Sequence, residues 1–221
     1  MTAPSSSRQQ ILDRIRAATQ LTTHESAPVK VAPETNLPRT YIHHGQLTAQ
    51  ARIALLTERL REYDAELVEC TPQAISSTIA AQLAATGKHS FVAPHGLPAE
   101  WLVPGFQWTI DHSLSHAEIE QTEGVVTGAY CAVADSGTIV LHHSAAEGRR
   151  VLTLLPDWHL CILRASQVVE TFPEYIDRCP QPPALATYIS GPSATADIEM
   201  TRIKGVHGPR FLHVILVRDE S

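Results

Sequence analysis

The feature that most constrains this chain is the repeated order of short apolar runs and amphipathic stretches that begins near residue 48. Residues 48–64 carry Ile53, Leu56, Leu60 and Tyr63 at helical spacing. Leu67-Val68-Glu69-Cys70 reads as a short strand. Thr71-Pro72 then gives a helix start, an N-cap residue followed by proline at the first helical position. Ile75, Ile79 and Leu83 line one face of that helix, and Gly87 ends it. Ser90 to Ala93 is the next strand. Alternation of strand and helix predicts a largely parallel sheet covered by helices on both faces, an α/β fold in three layers.

Beyond that point the pattern changes. Pro94, Pro98 and Pro104 break up a loop that carries Trp101 and Trp108. Val125 to Ala134 and Thr138 to His142 flank Asp135-Ser136-Gly137, which predicts two strands joined by a tight turn. Val151 to Leu155 and His159 to Leu163 read as further strands. Gln167 to Arg178 reads as a helix interrupted or ended near Pro173. Phe211 to Val217 is an apolar run fit for a buried closing strand. At the other end, residues 7–19 form a short amphipathic helix with Ile11, Leu12 and Ile15 on one face. Thr22 to Pro38 is polar and proline-containing, as linkers are. The expected organisation is a helical extension and linker over 1–47 and one α/β domain over 48–221.

The 221 residues are enough for one sizeable core, and 43% hydrophobic with 18% charged residues fits a soluble globular chain. A formal net charge of −6 argues against nucleic acid as the main partner. No apolar run is long enough to span a bilayer, and the first residues lack a basic segment followed by an apolar one, so a cytoplasmic protein is expected. The four cysteines, Cys70, Cys131, Cys161 and Cys179, form no C-x-x-C pair, so the chain has no standard zinc-ribbon or iron–sulfur spacing. The first three fall inside apolar runs, where thiols are inert, and Cys179 before Pro180 is expected near the surface.

Three clusters carry candidate chemistry. The first is Asp135-Ser136-Gly137-Thr138, a carboxylate with hydroxyls and a glycine at a strand turn. The second runs from Gly191 through Ser193 and Thr195 to Asp197; Gly191-Pro192 sets a turn, and the next residue types suit a helix N-cap, whose free N–H groups attract anions. The third is Gly205 to Arg210, in which His207 is a candidate proton carrier, Gly208 permits close approach and Arg210 can grip two oxygens of a carboxylate or phosphate. In open α/β sheets ligands bind beyond the carboxyl ends of the strands, and the clusters are expected to meet there. His112 with His116, and His142 with His143, lack the glutamate of a zincin motif, and no metal site is expected. Neither a P-loop, a G-x-S-x-G elbow nor a G-x-G-x-x-G fingerprint is present.

Val126-Thr-Gly-Ala129, Ala134-Asp-Ser-Gly-Thr-Ile139, Leu155-Pro156, Ser190-Gly-Pro-Ser-Ala-Thr-Ala-Asp-Ile-Glu199 and Gly205-Val-His-Gly-Pro-Arg210, in that order, resemble the LUD domain family and within it the LutC/YkgG type, over residues 48–217. The chain departs from that family's pattern at Asp135-Ser136, where a Glu-Thr pair is usual, and at Ala194, where arginine is frequent. The resemblance implies a fold like that of the NagB/RpiA/CoA-transferase group. It also implies a role in oxidising L-lactate to pyruvate beside partners that resemble iron–sulfur oxidoreductase subunits. Since this chain lacks cluster spacing, the iron–sulfur clusters are expected on the partners, and no cofactor is expected here.

Three readings stand side by side. The chain is a non-redox component of a lactate-oxidising complex. Or it is a stand-alone enzyme for a small anionic metabolite, a phosphosugar or acyl-CoA, with Asp135 as base or nucleophile and His207 and Arg210 assisting. Or it is a binding module in which Gly191 to Asp197 holds a carboxylate.

Overall fold

The structure, a computed structural model, describes residues 7–21, 40–196, 202–204 and 207–218. The chain divides between Tyr41 and Ile42 into a small unit and a large one. Helix α1 (Ser7–Leu21) belongs to the first, and its Ile11 and Ile15 are more than half exposed. In the large unit, residues 43–47 are tied down although the sequence grouped them with the linker. The Gly45 N–H donates to Glu174 Oε1 (2.8 Å), the Leu47 N–H to Glu170 Oε2 (2.6 Å), and the Thr171 hydroxyl to the His43 carbonyl (3.3 Å).

Helix α2 (Ala49–Glu62) begins where the Thr48 hydroxyl accepts the Ala51 N–H. It is followed by β1 (Glu66–Cys70), a 3₁₀ turn over Pro72–Ala74, α3 (Ile75–Ala85) and β2 (Ser90–Pro94), as the spacing predicted. The proline-broken stretch conceals a strand, β3 (Gln107–Asp111), parallel to β2. Helix α4 (His116–Glu120) is opened by a reciprocal cap between Ser115 and Glu118. The expected single strand over 125–134 is two: β4 (Gly124–Gly128) stays in the main sheet, and β5 (Cys131–Val133) leaves it to pair with β6 (Thr138–Leu141).

Residues 151–155 are not a strand. Arg150–Thr153 is a 3₁₀ helix, in which Leu152 and Thr153 are buried while Leu154 and Leu155 are exposed, a burial order without strand alternation. After β7 (Trp158–Arg164), the expected helix over 167–178 is also divided. Val168–Val169 forms β8 beside β5, and Pro173 sits in the first turn of α5 (Phe172–Arg178), where its missing N–H costs nothing. Strand β9 (Thr187–Ile189) completes a four-stranded sheet in the order β8-β5-β6-β9.

The predicted helix start in Gly191–Asp197 is overturned. Ala194–Ala196 is strand β10, paired antiparallel with β11 (Arg202–Lys204), so the backbone groups that would have faced a ligand at a helix end serve a hairpin. Finally β12 (Phe211–Val217) enters the main sheet between β1 and β7.

That sheet has six strands in the order β1-β12-β7-β4-β2-β3, and every neighbouring pair is parallel. Alternation along β7 and β12 sends Cys161, Leu163, Val214 and Leu216 to one face, where they pack with Leu56 and Leu60 of α2 and Ile139 and Leu141 of β6. Leu160, Ile162, Ile215 and Val217 go to the other, against Ile79 and Leu83 of α3. The three layers are therefore α3, the parallel sheet, and α2 with the small sheet. Leu56, Leu60, Ile79 and Leu83 are wholly buried, and truncating any one to alanine costs about 2–5 kcal/mol.

Candidate functional site

The turn between β5 and β6 is held from both sides. The Ala134 and Asp135 N–H groups donate to the Val169 and Glu170 carbonyls. Gly137 lies at φ +63°, and a Cβ there would stand 2.7 Å from Arg59 Cβ of α2, so only glycine fits. The Ser136 and Thr138 hydroxyls are 2.8 Å apart, and Thr138 is a further 2.8 Å from the Ser190 hydroxyl. This chain of three hydroxyls joins the first cluster to the second. Asp135 is exposed, and its carboxylate makes no hydrogen bond or ion pair among the described residues.

The second and third clusters meet directly. The Ser193 N–H donates to the Pro209 carbonyl (2.8 Å), and the Ser193 hydroxyl accepts the His207 N–H (3.1 Å). Gly191, at φ +91°, lies so close to Tyr63 at the end of α2 that a Cβ would approach Tyr63 Cβ to 2.5 Å. Arg210 does not offer its fork to a ligand. It grips Asp157 through Nε and Nη2, the latter at 2.9 Å, with Lys88 Nζ 3.9 Å from the same carboxylate. The Arg210 guanidinium holds the Asp157 carboxyl below its usual range. Arg210 thus fastens the 207–210 loop to the start of β7, and the expected role as an anion fork gives way to an anchoring one.

Behind these loops is a cavity of about 250 Å³. Its wall takes His159 and Leu212, each the second residue of its strand, and Thr153 and Leu154 just upstream of β7. It therefore sits at the amino ends of β7 and β12, not beyond the carboxyl ends as the sheet type led us to expect. Of the residues singled out in the sequence, Gly191, Ser193, His207 and Gly208 line it. Ser136 and Thr138 reach it only through Ser190; Asp135, Gly137 and Arg210 stand outside its wall. Thr195 lies in β10, and Asp197 falls outside the described residues.

Arg150 and His159 are among the lining residues that the sequence did not single out. Arg150 is exposed at the cavity and has no ion pair among the described residues. His159 is 1% exposed, with Nε2 2.8 Å from the Thr127 hydroxyl and no hydrogen bond to Nδ1 among the described residues. Burial pushes its pKa down to about 4, so the ring is neutral near pH 7. A histidine inside the apolar run Trp158-His-Leu-Cys-Ile-Leu163 was the available sequence signal for it. Nothing local marks Arg150; its distinction is the lack of an ion-pair partner among the described residues. None of the described lining residues is Asp or Glu, so the cavity combines one guanidinium, several hydroxyls and neutral imidazole, a donor set that suits a small anion.

At the carboxyl end of β3 a buried charge is already matched. Asp111, at the end of β3, is 4% exposed and accepts from Arg149 Nε (2.8 Å), Arg149 Nη2 (2.7 Å) and the Ser113 and Leu114 N–H groups. These partners, Arg149 first, hold its carboxyl below the usual range. Arg149 also donates to the Leu114 carbonyl (2.9 Å).

Among the described residues, no group of three or more His, Cys, Asp and Glu side chains is placed to hold a metal ion. Cys131 and Cys161 are fully buried, and burial pushes both thiols up to about 12, far from the thiolate that iron or zinc would need. No described helix is long and apolar enough to cross a membrane.

Residues 53–217 match the LUD domain. A lactate utilization protein C from Deinococcus radiodurans is 39% identical over 167 residues, 72% of this chain and 76% of the relative. A protein of the same name from Bacillus velezensis is 28% identical over 209 residues, 85% of this chain and 86% of the relative. Among solved structures, a DUF162 family protein from Deinococcus radiodurans superposes with a TM-score of 0.66 at 31% identity, covering 78% of this chain and 99% of the other.

Proposed function

This chain belongs to the LUD domain family, and from that premise we propose that it serves lactate utilization, as a non-redox component of a system that oxidises L-lactate to pyruvate with iron–sulfur partner proteins. The observation that carries the reading is the likeness to proteins named lactate utilization protein C across most of the domain, 39% identical in one case and end to end through the core in another. The cavity is compatible with it: about 250 Å³, with an unpaired arginine and hydroxyl donors, suits a ligand of a few heavy atoms bearing a carboxylate.

The cysteines do not fit an iron–sulfur cluster on this chain. Cys131 and Cys161 stand in different sheets with protonated, buried thiols. The reading therefore assigns electron transfer to partners, and no redox step is derived through residues of this protein. The competing reading, a stand-alone enzyme for a phosphosugar or an acyl-CoA, draws less support, because pockets for such ligands usually run to about 300–1,000 Å³. Asp135, its natural base or nucleophile, does not line the cavity.

Deletion of the gene in its source organism tests the role. Growth on L-lactate is expected to fail and to return with the intact gene, while growth on pyruvate persists. Unchanged growth on L-lactate overturns the reading. Anaerobic affinity purification from lactate-grown cells, followed by mass spectrometry and lactate-dependent dye reduction, tests the partners. Recovery of iron–sulfur proteins with activity is expected; a partner-free, inactive preparation contradicts the complex.

A further inference from the structure

We propose that the cavity at the amino ends of β7 and β12 binds a small 2-hydroxy or 2-oxo carboxylate, with Arg150 on the carboxylate and His159 hydrogen-bonded to the oxygen on the neighbouring carbon. The inference rests on the lactate reading for its choice of acid and on geometry for its site.

The argument begins with two consecutive arginines. Arg149 is taken up by Asp111 and the Leu114 carbonyl. Arg150 lines the cavity without an ion pair among the described residues, and Arg210 nearby is taken up by Asp157. The cavity wall, as described, holds a guanidinium and no carboxylate, an imbalance that a ligand anion removes. An arginine fork binds a carboxylate through two parallel N–H bonds.

The second observation is independent. His159 is buried to 99% and is one of the residues that line the cavity. One nitrogen is bound to Thr127, and the other has no partner among the described residues. Buried polar groups are normally satisfied, and for a residue at the cavity wall a ligand oxygen can supply the missing bond. A neutral imidazole can donate to a keto oxygen or accept from a hydroxyl, according to tautomer. Arg150 at the exposed side and His159 at the buried side thus define a site with two anchors, one charged and one neutral. A simple monocarboxylate fills only the first. A 2-hydroxy or 2-oxo acid fills both, and about 250 Å³ admits it.

The test is titration of the purified full chain with L-lactate, pyruvate, propionate and inorganic phosphate, read by calorimetry and by the NMR signals of the His159 ring. Pyruvate or L-lactate is expected to bind at least about tenfold more tightly than propionate, with the His159 signals moving on binding. Arg150→Gln should weaken that binding by about tenfold or more without changing the melting temperature. Equal binding of propionate, or preferred binding of phosphate, overturns the assignment to a 2-substituted acid. No binding by any of the four, or an unaltered affinity in Arg150→Gln, overturns the site. These outcomes are separable from the pathway role. If the gene carrying Arg150→Gln restores growth on L-lactate although the purified variant has lost binding, the site falls as a working part and the role stands. If the protein binds pyruvate while the deletion strain grows normally on L-lactate, the role falls and the site stands.

Discussion

Two consecutive arginines, at opposite ends of the parallel sheet, are treated in opposite ways. At the carboxyl end, Asp111 and Arg149 satisfy each other, with two backbone N–H groups completing the carboxylate. At the amino end, Arg150 faces a cavity walled by hydroxyls and His159. One peptide bond separates the two arginines. The segment that contains them touches both ends: the Ala145 and Ala146 carbonyls accept the Gly96 and Gly128 N–H groups just beyond β2 and at the end of β4, and the Asp157 carbonyl accepts the Phe211 N–H at the start of β12. The contrast shows that residue type does not decide whether an arginine supports the fold or stands ready for a ligand. The presence or absence of an acid within reach does.

The largest expected effect is at the saturated end. Asp111→Ala removes both Arg149 bonds and two backbone acceptances from a buried carboxylate, and should cost about 3 kcal/mol, measured by urea unfolding. A loss under about 1 kcal/mol would break the comparison. Next comes acid. The His159 pKa is about 4 in the fold and about 6.5 in the unfolded chain, so the unfolded state binds the extra proton between those values. Stability therefore falls as pH drops from about 6.5 to 4, by an upper bound on the order of 3 kcal/mol. His159→Asn should flatten that stretch of the profile. The depressed Asp111 carboxyl works in a lower window. Its contribution is complete above the unfolded value near 4 and disappears as pH falls through the folded value. Asp111→Asn should flatten the curve there and leave the histidine window intact. If both variants flatten the same window, the two ends are not independent.

Gly191→Ala should cost about 2 kcal/mol, since the residue is held at φ +91° and its Cβ meets Tyr63; a shift in melting temperature measures it. The smallest effect is Arg150→Gln, within about 0.5 kcal/mol of the parent in the same assay. Arg149→Gln should cost clearly more. That pair of neighbouring substitutions sharpens the comparison most directly.

The core of the fold was legible because its signals are local. Ile53, Leu56 and Leu60 keep helical spacing, and the run from Leu160 to Leu163 is apolar throughout, as a strand covered on both faces must be. The failures were places where a distant partner decides. Val151 to Leu155 has strand composition, but the adjacent Val151 and Leu152 both pack on the cluster of Val92, Ile119 and Val125, which strand alternation would not allow, and the segment coils. Val168–Val169 was absorbed into a helix because its partner, β5, lies more than thirty residues upstream. Gly191–Asp197 carries helix-capping residue types, and pairing with Arg202–Lys204 makes Ala194–Ala196 extended instead. The site follows the same rule. The glycines and serines of the loops were visible, since turns demand them. Arg150 was not, because an unmatched charge is a property of the folded neighbourhood.

The position of β12 has a consequence for how the molecule comes into being. Of the six strands in the main sheet it is the last to be synthesised, yet it lies between β1 and β7 and bonds to both. While the ribosome is still translating, β1 has no neighbour, and β7 shows one bare edge to the cytosol or to any chaperone waiting there. The sheet cannot be zipped progressively from one side as it emerges. It must be locked in a late step, by a strand that carries half of two interfaces at once. Such distant pairing makes for slow folding and a nascent chain exposed to aggregation. A nonsense codon or a stalled ribosome just before residue 211 would release a protein missing an interior strand rather than one trimmed at an edge.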